Sequence, residues 1–62
     1  MSIKGIRNGS LYFNEGTLRV ERVRSKANTQ SVFTTVHSKE LAMVPAKSLT
    51  LASGEQVADY LR

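Results

Sequence analysis

The amino-acid sequence predicts an all-β fold of five or six antiparallel strands in a meander, followed by a short C-terminal helix. Two turn signals, Asn8-Gly9 and Glu15-Gly16, separate alternating polar and apolar runs near the start of the chain. A run rich in β-branched and aromatic residues occupies 31–37, and a helix-capping signal begins at Ser53. Because the chain has 62 residues, it forms at most a single domain over 1–62.

The second turn signal decides which apolar residues share a face of the sheet. With Glu15-Gly16 as a two-residue loop, Phe13 pairs with Leu18, and Gly16 supplies the positive φ that such turns require. A three-residue loop would move Leu18 and Val20 to the face opposite Phe13, which a chain this short can hardly tolerate. The sequence therefore favours the two-residue loop.

The first turn signal extends the same face. Asn8-Gly9 joins a strand over 2–7 to the strand that follows, and it pairs Ile6 with Leu11. Both turns then predict one apolar face across three strands, made of Ile6, Leu11, Phe13, Leu18 and Val20. On the opposite, polar face Tyr12 lies directly across from Arg19.

Beyond Val20 the alternation breaks. A β-bulge near Glu21-Arg22 would return Val23 to the core and bend the strand. The polar segment 25–30 is predicted to be a loop, with Asn28 as a candidate for the left-handed region of backbone space.

The run 31–37 is the next predicted strand, and Ser38-Lys39 closes a further hairpin. This hairpin pairs Thr34 with Met43 on one face and Phe33 with Val44 on the other. Both faces are partly apolar. The pattern fits a strand that is covered on both sides, or one whose second face meets another chain.

Pro45 has no backbone N–H to donate to a neighbouring strand, so the strand from Leu41 is predicted to end at Val44. A 3₁₀ turn over 46–48 and a last strand over 48–52 follow, with Leu49 and Leu51 pointing inward.

The C-terminal helix is predicted from a capping box, in which Ser53 is the N-cap and Gln56 stands three residues later. Val57, Tyr60 and Leu61 recur behind it at helical spacing. We expect the Val57–Leu61 edge of this helix to pack on the sheet, since so short a helix is unstable alone.

The segment Val44-Pro45-Ala46-Lys47-Ser48-Leu49 resembles the end of an SH3-like barrel, where a 3₁₀ turn precedes the last strand. Together with the order of the strands, the resemblance implies that the meander curls into an SH3-like barrel, with the helix at an open end. It implies architecture only, because SH3-like barrels carry many unrelated functions.

Composition limits the classes of protein. The chain contains no cysteine, so disulfides and thiolate metal sites are excluded, and no apolar run reaches the length of a membrane helix. The N-terminus lacks the layout of a signal peptide, and we expect a cytoplasmic protein. Residues 1–30 carry six basic and two acidic side chains, whereas 31–62 carry three of each, so the net charge of +4 lies entirely in the first half.

Catalytic chemistry has little support in the sequence. His37 is the only histidine, and no spacing places it with a serine and an acid. The glycines are scattered rather than gathered in a phosphate-binding loop. We therefore expect no catalytic residue, metal, cofactor or small-molecule substrate.

The predicted polar face is the first candidate binding surface. An exposed aromatic ring beside arginines can stack a base while the cations neutralise phosphates. The residues predicted to bind single-stranded DNA or RNA are Arg7, Tyr12, Arg19, Arg22, Arg24 and Lys26. The alternative is structural: Arg19 lies over the Tyr12 ring as a cross-strand cation–π pair, and Glu21 balances its charge.

The second candidate surface is the face that carries Phe33 and Val44, which would meet a protein partner or a second copy unless the C-terminal helix covers it. The sequence thus favours a small non-enzymatic binding protein, a nucleic-acid-binding regulator or accessory factor of bacterial or phage type. The alternative is a protein-interaction module or inhibitor that covers its partner, or an oligomer whose function depends on its assembly.

Overall fold

The structure, a computed structural model, describes residues 1–35 and 40–62. The strands are β1 (Leu11–Asn14), β2 (Arg19–Lys26), β3 (Ser31–Thr35), β4 (Leu41–Pro45) and β5 (Leu49–Leu51), and one α-helix, α1, spans Gly54–Leu61. The strands form a single antiparallel sheet in the order β4-β3-β2-β1-β5. The predicted antiparallel β fold with a short C-terminal helix is confirmed.

The predicted strand over 2–7 is wrong. Ile3–Gly5 forms a 3₁₀ turn instead, because both edges of β1 are already taken, one by β2 and the other by β5. The Asn8-Gly9 turn consequently docks on β2: the Gly9 amide donates to the Val23 carbonyl at 2.7 Å, and the Val23 amide donates to the Ser10 carbonyl at 3.0 Å. Gly9 has a φ of 86°, as its turn requires.

The β1–β2 loop is longer than predicted. Phe13 pairs with Val20 rather than with Leu18, which leaves four residues, 15–18, in the connection. The Asn14 side chain accepts a hydrogen bond from the Gly16 amide at 2.8 Å and so stabilises the turn from within. The positive φ falls on Leu18, at 58°, and not on Gly16.

The core lies on the face of the sheet opposite to the one predicted. Lengthening the loop by two residues leaves the alternation unchanged, but Tyr12 points inward and Phe13 outward. The buried apolar cluster consists of Ile6, Tyr12, Val23, Val32, Val44, Ala46 and Leu49. Helix α1 lies over the outer face, where Tyr60 and Gln56 line a shallow pocket with Phe13 and Val20. The helix therefore covers part of the outer face, at Phe13 and Val20.

The predicted bulge near Glu21-Arg22 is wrong, because the pairing is regular from Arg19 to Val23; β2 has its bulge at Arg24 instead. Val23 pairs with Thr34 and Ser25 pairs with Phe33, which leaves Arg24 as the extra residue. In the predicted β2–β3 loop, the side chain of Asn28 accepts from the Gln30 amide, and its φ is not positive, so its predicted left-handed conformation is wrong.

The β3–β4 register is one residue away from the prediction. Val32 pairs with Val44, and Phe33 pairs with Met43, so Val44 belongs to the core face. An offset of one residue reverses the face of every side chain in the strand. Val36, His37 and the predicted Ser38-Lys39 turn lie outside the described residues.

Most of the C-terminal predictions are confirmed, but β4 continues through Pro45, one residue beyond its predicted end at Val44. Ala46–Ser48 is a 3₁₀ turn after Pro45, Leu49 is fully buried, and the capping box is formed in both directions between Ser53 and Gln56. Leu51, predicted to point inward, is instead 77% exposed at the end of β5. Val57 is half-buried while Leu61 is exposed, so only part of the predicted edge packs.

Candidate cationic surface

Strand β2 separates its charges by burial. Arg19, Arg24 and Lys26 are exposed and Arg22 is half-buried, while Glu21, the only acid of the strand, is 4% exposed. Burying the carboxylate removes the one negative charge that would otherwise lie among these cations. The side chains that β2 offers to solvent are therefore cationic or uncharged.

The buried Glu21 is held by neutral donors from three parts of the chain. Its carboxylate accepts hydrogen bonds from the Thr34 hydroxyl at 2.6 Å, the Thr17 hydroxyl at 2.9 Å and the Asn14 amide at 3.2 Å. Buried polar groups need such partners, because an unpaired one keeps its full desolvation cost. In the part of the chain that the structure describes, no buried polar side-chain atom lacks a partner.

Tyr12 is not available to a ligand. It is 4% exposed, and its hydroxyl accepts a hydrogen bond from the Arg7 amide at 2.9 Å. Its partner across the strand pair is Glu21 and not Arg19. The predicted exposure of Tyr12, and with it stacking of a base on this ring, is wrong: the ring belongs to the core, and its hydroxyl fixes the backbone of Arg7.

A cation–π pair exists, but between other residues than those predicted. The Arg22 guanidinium carbon lies 5.9 Å from the centre of the Tyr60 ring. The same guanidinium donates from Nη1 to the Gly9 carbonyl at 2.6 Å. Arg22 therefore links β2 to α1 and to the N-terminal turn, and part of its donor capacity is already used within the protein.

Arg24 is turned onto the outer face by the bulge. Its Nε donates to the hydroxyl of Thr35 at 3.0 Å, which places the guanidinium over the outer face of β3. Phe33, half-buried, and Met43, 60% exposed, occupy the same face. The predicted Phe33–Val44 surface is thus wrong in one member, because Val44 is 8% exposed in the core and Met43 takes its place.

Arg19 and Arg7 extend the basic surface to either side. Arg19 lines the pocket of about 340 Å³ between α1 and the β1–β2 hairpin, which also holds Asp59. Asp59 forms an exposed ion pair with Arg62 at 3.0 Å. Arg7 is exposed at the start of the N-terminal turn. This turn is hydrogen-bonded to Val23, which stands between Arg22 and Arg24 in β2.

Two lysines that the sequence did not single out adjoin this surface. Lys4 and Lys26 line a surface pocket beside the β2–β3 loop, and Lys47 lines a neighbouring one. The two pockets share Ile3 and Thr29, and neither lining contains an acidic residue. Lys4 and Lys47 sit singly in 3₁₀ turns, so no pattern in the sequence could have joined them to Lys26.

Searches against protein-family models, curated proteins and solved structures find no match to this chain. Among residues 1–35 and 40–62, no group of three His, Cys, Asp or Glu side chains is placed to hold a metal ion. Within the same residues, no helix is both long and apolar enough to cross a membrane. The function is therefore inferred from the residues of the site.

Proposed function

We propose that this chain is a small non-enzymatic protein that binds nucleic acid through the phosphate backbone, with β2 as the main contact. The observation that carries the proposal is the division of charge in β2. Its four cations reach the surface, while its only carboxylate is enclosed by Thr34, Thr17 and Asn14. A surface of one sign attracts a polyanion and raises its local concentration.

The dimensions of β2 suit several phosphates. Arg19 and Lys26 stand at its two ends, which are about 23 Å apart at the usual rise of a strand. Arg7 lies beside the middle of the strand, and Lys4 shares a pocket with Lys26. Within residues 1–35 and 40–62, the one hydrogen bond of the Arg24 guanidinium is from Nε to Thr35, so four of its five N–H donors remain for a ligand.

The proposed architecture is an SH3-like barrel. Three features support it: β1 pairs with both β2 and β5, a bulge bends β2 at Arg24, and a 3₁₀ turn connects β4 to β5. Bulges are the usual means by which a strand curves enough for a sheet to close. In such a barrel the cations of β2 would lie on the outer wall.

The test is a titration of a labelled oligonucleotide, followed by fluorescence anisotropy at several salt concentrations. Binding should weaken steeply as salt rises, because each neutralised phosphate releases counterions. Arg19→Gln and Lys26→Gln should each weaken binding to all sequences and reduce the salt slope by about 1.

Arg62→Gln is the matched control, because it removes the same charge from a site where Asp59 already balances it. It should leave the salt slope unchanged. Absence of binding at low salt, or equal losses in all three variants, would contradict the proposal.

A second candidate function is protein recognition. Leu41 and Met43 are 62% and 60% exposed on β4, which is the end strand of the sheet. Exposed apolar side chains on an edge strand suit addition of a strand from a partner or a second copy. Sedimentation of the isolated protein separates these cases, since a homodimer would appear as a concentration-dependent increase in mass.

A further inference from the structure

We propose that Phe33 is a platform on which one base of a single nucleic-acid strand stacks, while Arg24 binds an adjoining phosphate. The inference rests on the proposed nucleic-acid function and adds to it the kind of strand that is bound. It replaces the predicted platform at Tyr12, whose ring is inside the core.

The position of Phe33 follows from the alternation of β3. Val32 and Thr34, its neighbours in sequence, are both buried in the core face, so the Phe33 ring points to the outer face. There it is half-buried, with Ser25 opposite on β2 and Met43 opposite on β4. A ring that is supported from below and partly open is what stacking on a base requires.

The β2 bulge brings a cation to the face of the sheet that carries this ring. Because Arg24 is the extra residue, Ser25 faces Phe33 and Arg24 reaches past it to the hydroxyl of Thr35. Thr35 and Phe33 are two residues apart on the same face of β3, about 6–7 Å along the strand. The hydrogen bond from Nε holds the guanidinium on the same face as the ring, and among the residues that the structure describes it leaves the other donors for a phosphate.

Charge favours a polyanion over a second copy at this face. The residues opposite Phe33, Ser25 and Met43, carry no negative charge, and the cations of β2 on the same face are Arg22, which pairs with Thr35, and Arg24, which is bonded to it. A two-fold contact through this face would bring the same cations of both copies together, and like charges at an interface oppose association. The phosphates of a bound strand would instead neutralise them.

The same geometry predicts a preference for single strands. Bases in a duplex are paired and stacked on one another, so a ring on the surface of a sheet cannot reach their faces. An unpaired base can turn its face to Phe33 while its phosphates stay on β2.

The test compares three labelled ligands of equal length: an oligothymidylate, an abasic strand with the same phosphates, and a duplex. A length of about 12 nucleotides lies within the site sizes of small β-barrels. The wild-type protein should bind the thymidine strand most tightly. Phe33→Ala should weaken that binding about 5- to 100-fold, the loss expected for one stacked base, and leave the abasic strand unaffected.

Three further variants keep the test decisive. Phe33→Leu preserves apolar volume without an aromatic ring and should weaken thymidine binding, whereas Phe33→Trp should retain it. Met43→Ala removes a more exposed apolar side chain directly across the strand pair and should have little effect. If Phe33→Leu retains the native NMR spectrum, its weaker thymidine binding is not caused by unfolding.

The outcomes distinguish the two levels of the proposal. If the wild-type protein binds thymidine and abasic strands equally and Phe33→Ala changes neither, the platform is overturned while backbone binding stands. If no strand binds even at low salt, the nucleic-acid function itself fails. If the wild-type protein sediments as a dimer that Phe33→Ala dissociates, this face is a protein interface and the platform is overturned.

Discussion

The hydroxyl of Thr34 on β3 donates a 2.6 Å hydrogen bond to the carboxylate of Glu21 on β2, inside the sheet's core face. Asn14 of β1 reaches the same carboxylate, so one acidic side chain connects three consecutive strands. The arrangement has two effects. It satisfies an acid that would otherwise be costly to bury, and it leaves the outside of β2 to cations.

We predict that Glu21→Ala lowers the free energy of unfolding by about 2–4 kcal/mol, because three donors lose their acceptor within a buried space. Glu21→Gln keeps the side-chain length and one acceptor oxygen, and it should lose less than half as much. Urea denaturation of the three proteins measures the difference. Equal losses in both variants would show that the hydrogen bonds to Glu21 contribute little.

Tyr12→Phe should cost about 1 kcal/mol of stability, because the Arg7 amide loses the hydroxyl that accepts its hydrogen bond. Binding of an oligonucleotide should not change, since the ring is enclosed. Anisotropy titration and thermal denaturation of the same sample report the two effects separately. If Tyr12→Phe has native stability but binds the oligonucleotide more weakly, Tyr12 contributes to the binding surface and the prediction is wrong.

Leu18→Gly should raise the free energy of unfolding by about 0.5–1 kcal/mol. Leu18 has a φ of 58°, where an L side chain is strained, and it is 74% exposed, so little burial is lost with the side chain. Leu51→Gly is the matched control, because Leu51 is 77% exposed in a strand and its φ is not positive. That control should be destabilised. The prediction fails if the free energy of unfolding changes in the same direction in both variants.

Two glycines should respond oppositely to alanine. Gly9→Ala should cost about 1 kcal/mol, because the φ of 86° suits glycine alone. At Gly54, in the first turn of α1, an added Cβ meets nothing within 4 Å and φ is not positive. Gly54→Ala should therefore be neutral or stabilising by about 0.4–1 kcal/mol. Chemical denaturation of the pair checks the sign of each change.

Ser53→Ala should destabilise α1 by about 1 kcal/mol, because the Gln56 amide loses the Ser53 oxygen that accepts at 3.1 Å. Ser53→Asn retains a capping oxygen and should behave nearly as the wild type. Hydrogen exchange at the Gln56 and Val57 amides is the local readout. Unchanged protection in Ser53→Ala would mean that packing on the sheet, rather than the cap, holds the helix in place.

The features that the sequence predicted correctly are those determined within a few residues. The 3₁₀ turn after Pro45 and the capping box at Ser53 each depend on a local backbone constraint or a side chain three positions away. The bulge is different: the structural alternation continues from Arg19 to Val23, and the extra residue at Arg24 depends on the pairing with β3.

The inward face could not be read from alternation, because alternation shows which residues share a face and not which face is buried. The apolar count favoured the face of Phe13 and Val20. The protein instead buries Glu21 among partners that come from other strands and from a turn, while α1 covers Phe13 and Val20. A network of this kind has no signature in a single strand.

The same reason explains what was and was not predicted of the candidate site. The sequence correctly predicted that four cations are exposed, because lysine and arginine side chains are rarely buried. They are Arg7, Arg19, Arg24 and Lys26. The aromatic residue of the site was predicted wrongly, because the Tyr12 side chain lies on the inward face of the sheet. The Phe33–Met43 pairing depends on the β3–β4 register, which is one residue away from the register that the turn signal predicts.

The extra residue at Arg24 divides β2 into two segments whose side-chain alternation is out of step by one residue. This determines whether the strand tolerates a substitution or a deletion at this position. Replacing the side chain at position 24 leaves both phases intact. Deleting the codon would merge them: either Ser25 and Lys26 exchange faces, or the pairing with β3 slides by one position and carries Val32 out of the core. Substitutions at position 24 should therefore be common during divergence of this fold, and single-residue deletions there should be rare.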